Sequence, residues 1–384
     1  MTSLLVIIVL VLLSVAIWQL TKIFDLTQVG ATVNTTQVAN DKDNNVQGYL
    51  MFGFLAFIYI FTIYGLFKWG HLVLADPASE HGKDVDQLMN ITWVLLFIVQ
   101  AITQVLLHYF AFKYRGNTQN KALYFADSDK LEFIWSVIPA IVLAVLILYG
   151  LYAWTNIMFV DEKTEDVMVV EVYGKQFIWE ARYAGGDNVL GKANVRYIDG
   201  VNTMGVDLAD PYAQDDKTVT GEIHIPKGKK VLFKFRSQDV LHSAYMPHFR
   251  AQMNVVPGMV TQFAFTPTMT TEEMRAVPRM VEKVSNINKI RAEQSAALIK
   301  EGKEAKDPYT FDYLLLCAKI CGASHYNMQI KLVVDTPEDF KAWLREKPTL
   351  VKAFKDSNAP GATEAAKDSI KAAPNAAPMA QPTK

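Results

Sequence analysis

The stretch Cys317-Ala-Lys-Ile-Cys321-Gly-Ala-Ser-His325-Tyr-Asn-Met328 holds the only two cysteines of the chain, followed by a histidine and a methionine. Two thiolates, an imidazole and a thioether within a dozen positions form a donor set that suits a soft metal such as copper. A mononuclear blue-copper site uses one cysteine and two histidines. A second, correctly placed thiolate lets two copper ions share a pair of bridging sulfurs. The missing imidazole then has to come from elsewhere, and His242, in Asp239-Val-Leu-His242-Ser243, is the best candidate. The competing reading is a disulfide in an exported domain. The i, i+4 spacing, with His325 and Met328 adjoining, favours a metal over it.

Such a cluster needs a scaffold, and the chain divides sharply into an apolar and a polar part. With 384 residues it has room for two domains, or for one domain with membrane spans. The formal net charge of −1 offers nothing for nucleic acid to bind. Four charge-poor runs, at about 3–21, 48–69, 91–112 and 133–154, are each long enough to span the hydrocarbon of a bilayer. The first lacks both the basic start and the small-residue cleavage site of a signal peptide, so an uncleaved helix is expected. Lys113, Arg115, Lys121 and Lys130 mark the loop between the third and fourth runs as cytoplasmic. Everything after about residue 158 is then exoplasmic. Gln100, Gln104 and His108 form one polar stripe along the third run, which should face another helix.

From Glu165 the pattern changes to short β-branched runs separated by turns, as an antiparallel sandwich or barrel requires. Strands are expected at Val167–Tyr173, Phe177–Tyr183, Glu222–Ile225, Val231–Ser237, Met259–Phe265, Tyr313–Leu316 and Gln329–Val334. Thr336-Pro337 caps a short helix reaching about Arg345. The expected class is α+β: a transmembrane region at 1–160, then an exoplasmic all-β domain at 161–346. A charged, helix-prone insert occupies 268–307, and an Ala/Pro-rich tail at 347–384 reads as disordered. The tail holds no Cys-x-x-Cys-His, so no covalent haem is expected.

Taken together, Cys317, Cys321, His325, Met328 and the upstream His242-Ser243 segment resemble the binuclear copper A loop of subunit II of the haem-copper cytochrome c oxidases. Leu131-Glu132-Phe133-Ile134-Trp135, with Pro139, is similar to the start of the second helix of the subunit II hairpin. Gly174-Lys175-Gln176-Phe177-Ile178-Trp179 is similar to the family's Gly-x-Gln-Trp-x-Trp. The resemblance implies a cupredoxin fold for the β domain. It implies two coppers bridged by Cys317 and Cys321, capped by His242 and His325, with Met328 and the backbone carbonyl of Lys319 as further ligands. Where Lys319 stands, the family usually has a glutamate that also helps hold magnesium against subunit I. A lysine cannot do that, so a magnesium site is not carried over.

Electron entry falls by the same resemblance to Phe177 and Trp179, and the entrance of a proton path to Glu132. The implied partners are oxidase subunits I and III, a cytochrome c or cytochrome c domain of a partner complex, and the lipid of a bacterial inner membrane. The β domain would lie on the periplasmic side. In that role the chain takes single electrons from cytochrome c and passes them to haem in subunit I, where oxygen is reduced to water with proton translocation. The acidic run of Asp207, Asp210, Asp215 and Asp216 could steer a basic cytochrome, although Lys227, Lys229 and Lys230 dilute its field. A membrane-anchored copper-delivery or thiol-redox protein is the alternative. It would generally use a thioredoxin-like α/β domain, which the strand-rich pattern does not suggest.

Overall fold

The computed structural model describes residues 2–28, 41–121, 123–162 and 166–359. Its contacts divide the chain into two units, Met1–Val73 with Thr92–Ile134, and Leu74–Ile91 with Trp135–Lys384.

Four helices lead the chain: α1 (Thr2–Gln28), α2 (Asp41–Trp69), α3 (Glu80–Lys113) and α4 (Asp129–Met158). Among the described residues three stretches are long and apolar enough to cross a membrane, Asp41–Leu72, Glu80–Lys113 and Asp129–Met158. The first expected span, at about 3–21, lies partly outside the described side chains, of which the apolar run in α1 is Ile8–Thr21. The Gln100/Gln104/His108 stripe of α3 meets α2. Tyr59 donates its hydroxyl to the Ala101 carbonyl at 2.8 Å, and the Phe54 ring lies 6.3 Å from that of the buried His108. Gly48 makes this approach close, since a Cβ there would stand 2.6 Å from the Phe112 ring.

Residues 74–91 belong to the second unit and are stitched onto its β domain. Ala78 and Ser79 are fully buried. Ala78 N–H donates to the His248 carbonyl, and Thr268 N–H to the Ala78 carbonyl. Arg250 pairs with Asp86 at 2.6 Å through Nε and 2.8 Å through Nη2.

The β domain comprises two five-stranded sheets. One runs in the order β3 (Lys217–Thr220), β2 (Ile178–Tyr183), β1 (Val167–Lys175), β5 (Lys230–Ser237), β8 (Thr261–Phe265). The other runs β4 (Glu222–Pro226), β10 (Gln329–Asp335), β9 (Tyr313–Cys317), β6 (His242–Met246), β7 (Ala251–Val255). Apolar side chains alternating inward from both, among them Val172, Trp179, Ile225, Phe233, Tyr313 and Leu332, close the core between them. The sheets are mixed, not purely antiparallel: β1 pairs with β5, and β4 with β10, in parallel. Strands β3, β6 and β7 were not expected from the sequence. They carry polar or small residues at positions that the sheets bury by neighbouring-strand contact, which period alone does not reveal.

The insert is ordered. Thr270 and Glu273 form a reciprocal capping box at the start of α5 (Thr271–Ala276), and α6 (Pro278–Lys300) comes next. Asn288 clamps both backbone groups of Tyr309, and Ser295 Oγ accepts from Lys306 N–H, so the returning chain is zipped along α6. Helix α7 (Pro337–Glu346) lays Trp343 flat on the buried His224, with ring centroids 4.0 Å apart. The disorder expected from 347 does not hold for residues 350–357. Leu350–Ser357 forms α8, capped by Thr349, because Leu350 and Val351 bury apolar side chains in the domain. Residues 360–384 of that tail lie outside the described residues.

The acidic run is likewise used internally. Asp216 is fully buried and accepts from Arg182 Nη1 at 2.8 Å and Gly191 N–H at 3.0 Å. Asp210 accepts from the Lys192 and Tyr212 amides, Asp215 from Gly186, and Asp207 from Ala209. It closes its own loop and does not form an open patch.

Arg182 also binds Glu171 at 2.7 Å, so one buried guanidinium bridges two buried carboxylates, and Arg236 brings Glu171 a second cation. Burial pushes the Asp216 carboxyl up to about 6, against the pull of Arg182. Replacing Arg182 by Leu should cost about 3–5 kcal/mol, chiefly by leaving the buried Asp216 without a cation while Glu171 keeps Arg236. The Asp216 carboxyl would rise further in the folded state only, so the loss should be smaller at pH 5, where it can hold a proton, than at pH 8. Thermal melts of the full chain in detergent at the two pH values test this.

Candidate metal centre

Pairing of β6 with β9 places the distant histidine. Ala244 lies opposite Cys317 and Tyr245 opposite Leu316, and Ala318 N–H donates to the Ser243 carbonyl at 2.9 Å. His242 at the head of β6 therefore reaches Cys317 at the end of β9. Pairing of β9 with β10 closes the other side: Leu316 faces Gln329, and Cys317 N–H donates to the Met328 carbonyl at 3.0 Å. The intervening loop carries Lys319, Cys321 and a single 3-10 turn, His325–Asn327.

Every donor singled out in the sequence for a metal arrives in one cluster. Cys317 Sγ lies 3.8 Å from His242 Nδ1, 3.9 Å from Cys321 Sγ and 3.2 Å from the Lys319 carbonyl oxygen. Cys321 Sγ lies 3.7 Å from both His325 Nδ1 and Met328 Sδ. The donor atoms of His242, Cys317 and Cys321 all fall within 4.8 Å of one another. His242, both cysteines and Met328 are buried, His325 is half-buried, and the Lys319 side chain points outward while its carbonyl faces in. Both cysteines are free thiols. Two sulfurs, two imidazole nitrogens, a thioether and a carbonyl in an enclosed space fit soft, nitrogen- and sulfur-loving copper.

The surroundings hold these donors at defined angles. Asp239 Oδ1 accepts from His242 Nε2 at 2.9 Å, which leaves Nδ1 facing the sulfurs. Burial opposes the charge of Asp239, yet hydrogen bonds from Gln176 N–H, His242 and Val240 N–H together hold its carboxyl below the usual range. Gln176 Nε2 donates to the Cys321 carbonyl. Trp179 is fully buried, 5.8 Å from the His242 ring at 63°. Gly174 permits that approach, because a Cβ there would meet the indole at 2.8 Å. Phe177, expected to open β2, instead sits in the turn before it, half-buried. Its ring leans on the copper-loop glycine: a Cβ on Gly322, whose φ is +143°, would meet Phe177 Cζ at 2.8 Å.

The remaining candidates lie apart from the cluster. Glu132 is exposed in the first turn of α4. His248 is enclosed by Phe311 and Tyr313, and burial pushes its imidazole down to about 4, as befits a neutral packing residue. Asp239 and the Gln176 side chain were missed as supporting groups. The available signal was an acid three residues before the histidine, which the local turn brings onto its ring.

Such a site, carried on two stacked sheets behind apolar membrane helices, defines a membrane-anchored copper protein with an exoplasmic cupredoxin-like domain. Residues 67–152 match the family model for the cytochrome c oxidase subunit II transmembrane domain, and residues 168–273 that for its periplasmic domain. The chain is 33% identical over 275 residues to an alternative cytochrome c oxidase subunit 2 of Bradyrhizobium diazoefficiens, covering 71% of this chain and 83% of that one. It belongs to the cytochrome c oxidase subunit II family, the copper A-bearing part of an oxidoreductase complex. A cytochrome c oxidase subunit 2 of Thermostichus vulcanus is 24% identical over 311 residues, covering 74% and 81% of the two chains. The solved periplasmic domain of subunit II from Bradyrhizobium japonicum aligns with 46% of this chain and 91% of its own at 18% identity and a TM-score of 0.26. The copper-delivery or thiol-redox reading is not the one this membership favours. Helix α1 and most of α2 precede the matched region, and the cysteine loop lies after it, beyond the insert.

Burial pushes the Cys321 thiol up to about 11, with Cys317 beside it adding to the rise. Metal must therefore displace thiol protons throughout the neutral range. Apparent copper affinity of the metal-free chain should rise with pH by roughly tenfold per unit for each proton released. Competition titrations between pH 6 and 8 should show a shallower slope for Cys321→Ser than for the unsubstituted chain.

Proposed function

We propose that His242, Cys317, the Lys319 carbonyl, Cys321, His325 and Met328 hold a binuclear copper A centre through which single electrons enter a respiratory cytochrome c oxidase. The observation that carries this reading is the cluster itself, in which Cys317 and Cys321 each have a different imidazole within 3.8 Å and 3.7 Å. When bound, the copper pair held by these residues would supply a one-electron carrier whose charge is shared between the metals and the Cys317 and Cys321 sulfurs. The protein's part is to keep water from the buried sulfurs and to hold both imidazoles on strands and a short loop, so that little moves as the charge changes. Phe177, in the turn over Gly322, is the surface point of electron entry, and Trp179, packed on His242, lies behind it.

The electron donor is a cytochrome c or a cytochrome c domain of a partner complex. Electrons go on to haem in subunit I, with subunit III as a further neighbour, and Glu132 stands at the entrance of a proton path. The chain resides in a bacterial inner membrane as a multi-pass protein with the copper domain in the periplasm. In this arrangement residues 1–160 are the membrane region, 161–346 the cupredoxin domain interrupted at 268–307, and 347–384 an Ala/Pro-rich tail whose first part, α8, packs on that domain. With lysine at 319, magnesium is not part of the proposed site.

Metal analysis and electron spin resonance of the purified chain test the reading. Two coppers per chain with one electron shared over both are expected. One labile copper would point instead to delivery. Cys317→Ser and Cys321→Ser should each abolish the shared-electron signal. Phe177→Ala should keep the signal while slowing reduction by cytochrome c about tenfold, measured by stopped flow.

A further inference from the structure

A cavity of about 420 Å³ opens where the exoplasmic ends of α3 and α4 meet the β domain, a volume in the range of small-molecule sites. Glu80 and Asp84 line it from the first turns of α3, and Tyr149 and Tyr152 from the last turns of α4. Lys230, at the start of β5, and Phe265, at the end of β8, form the wall on the β side. Glu80 N–H donates to the Thr266 carbonyl at 3.1 Å, which fixes the α3 wall to the β wall. Gly150 of α4 lies against Leu88 of α3, since a Cβ there would stand 3.9 Å from Leu88 Cδ2. The two helices are therefore in contact at the membrane end of the cavity. Trp154 and Phe159 are exposed beside it, as aromatic side chains at a bilayer interface are. Glu80 and Asp84 are exposed too, and among the described residues neither carboxylate has a hydrogen bond or an ion pair.

We propose that this cavity binds the headgroup of an ethanolamine phospholipid, its ammonium on Glu80 and Asp84 and its phosphate on Lys230. Helices α3 and α4 leave the hydrocarbon at this level, so the cavity lies at headgroup depth. Two carboxylates on one cavity wall call for a cation, and a primary ammonium brings three N–H donors to them. The Tyr149 and Tyr152 rings add aromatic surface that a cation can lie against. A trimethylammonium headgroup carries the charge but no N–H, so it forms none of those bonds. An anionic glycerol headgroup brings no cation at all and meets two like charges. Lys230, on the β side, matches the phosphate that all three headgroups share. The acyl chains then run into the bilayer along exposed apolar residues of α4 such as Leu148 and Leu151. A lipid held so ties the β domain to the membrane surface through α3 and β5 together, and copper plays no part in it.

The test uses the full chain in detergent, stripped of lipid. Phosphatidylethanolamine, phosphatidylcholine and phosphatidylglycerol with the same acyl chains are added one at a time, and bound lipid is counted by native mass spectrometry. One phosphatidylethanolamine should bind about tenfold more tightly than either of the others. Joint replacement Glu80→Gln and Asp84→Asn should bring phosphatidylethanolamine down to the phosphatidylcholine level. Both side chains are exposed and bond to nothing in the fold, so this variant should melt as the unsubstituted chain does. Lys230→Gln should weaken all three lipids alike and keep the order among them. Equal affinity for the three lipids, a preference for phosphatidylglycerol, or an ethanolamine preference that survives the joint replacement overturns the proposal. Binding left unchanged by Lys230→Gln overturns it as well.

Discussion

The register between β6 and β9 is the constraint on which the site depends. It joins two proposed ligands 75 residues apart, His242 and Cys317, by aligning Ala244 with Cys317 in one sheet. A slip by one residue would send the histidine to the opposite face of the sheet, because successive strand side chains alternate. That register is held by burial: Ala244, Met246, Tyr313 and Leu315 all face the core, so any slip would expose them. The metal cluster is therefore secured by the same apolar contacts that close the sandwich.

This explains how the chain accommodates so long an interruption between its histidine and its cysteines. Helices α5 and α6 leave the sandwich after β8 and return to it just before β9, with Asn288, Arg291 and Ser295 bonded to the returning backbone. The excursion closes on itself, so its length does not load the β6–β9 pairing. Loop-closure entropy grows only slowly with length, and an internally folded insert reduces even that. The 74–79 connection works similarly from the other side, bonding to the turn that joins β6 to β7.

Among the described residues, the main buried charges of the domain are enclosed with partners. Arg182 takes Glu171 and Asp216, and the run that reads in sequence as an acidic surface is spent on backbone amides and on that guanidinium. Near the metal cluster a similar pairing gives His242 its carboxylate. The cluster then presents to solvent chiefly the outward side chains of Lys319, Ile320 and Tyr326.

Much of this was legible along the chain. Donor types and spacing between Cys317 and Met328 point to the metal chemistry, since five of the six proposed ligand groups lie within one loop and carry their reactivity wherever it folds. Long apolar runs reveal α2, α3 and α4, because a bilayer demands length and hydropathy that few other contexts tolerate. Strands with strong alternation, such as β5, were equally plain. Strands β3, β6 and β7 were hidden, since their burial comes from neighbours supplied by remote sequence. The ordered α8 and the inward acids of 207–216 escaped for the same reason: composition reports what a residue tolerates, while partners come from elsewhere. Only the packed sheets could bring Asp239 under His242 and Gln176 against Cys321, because those distances are set by strand pairing across the domain and by no local pattern.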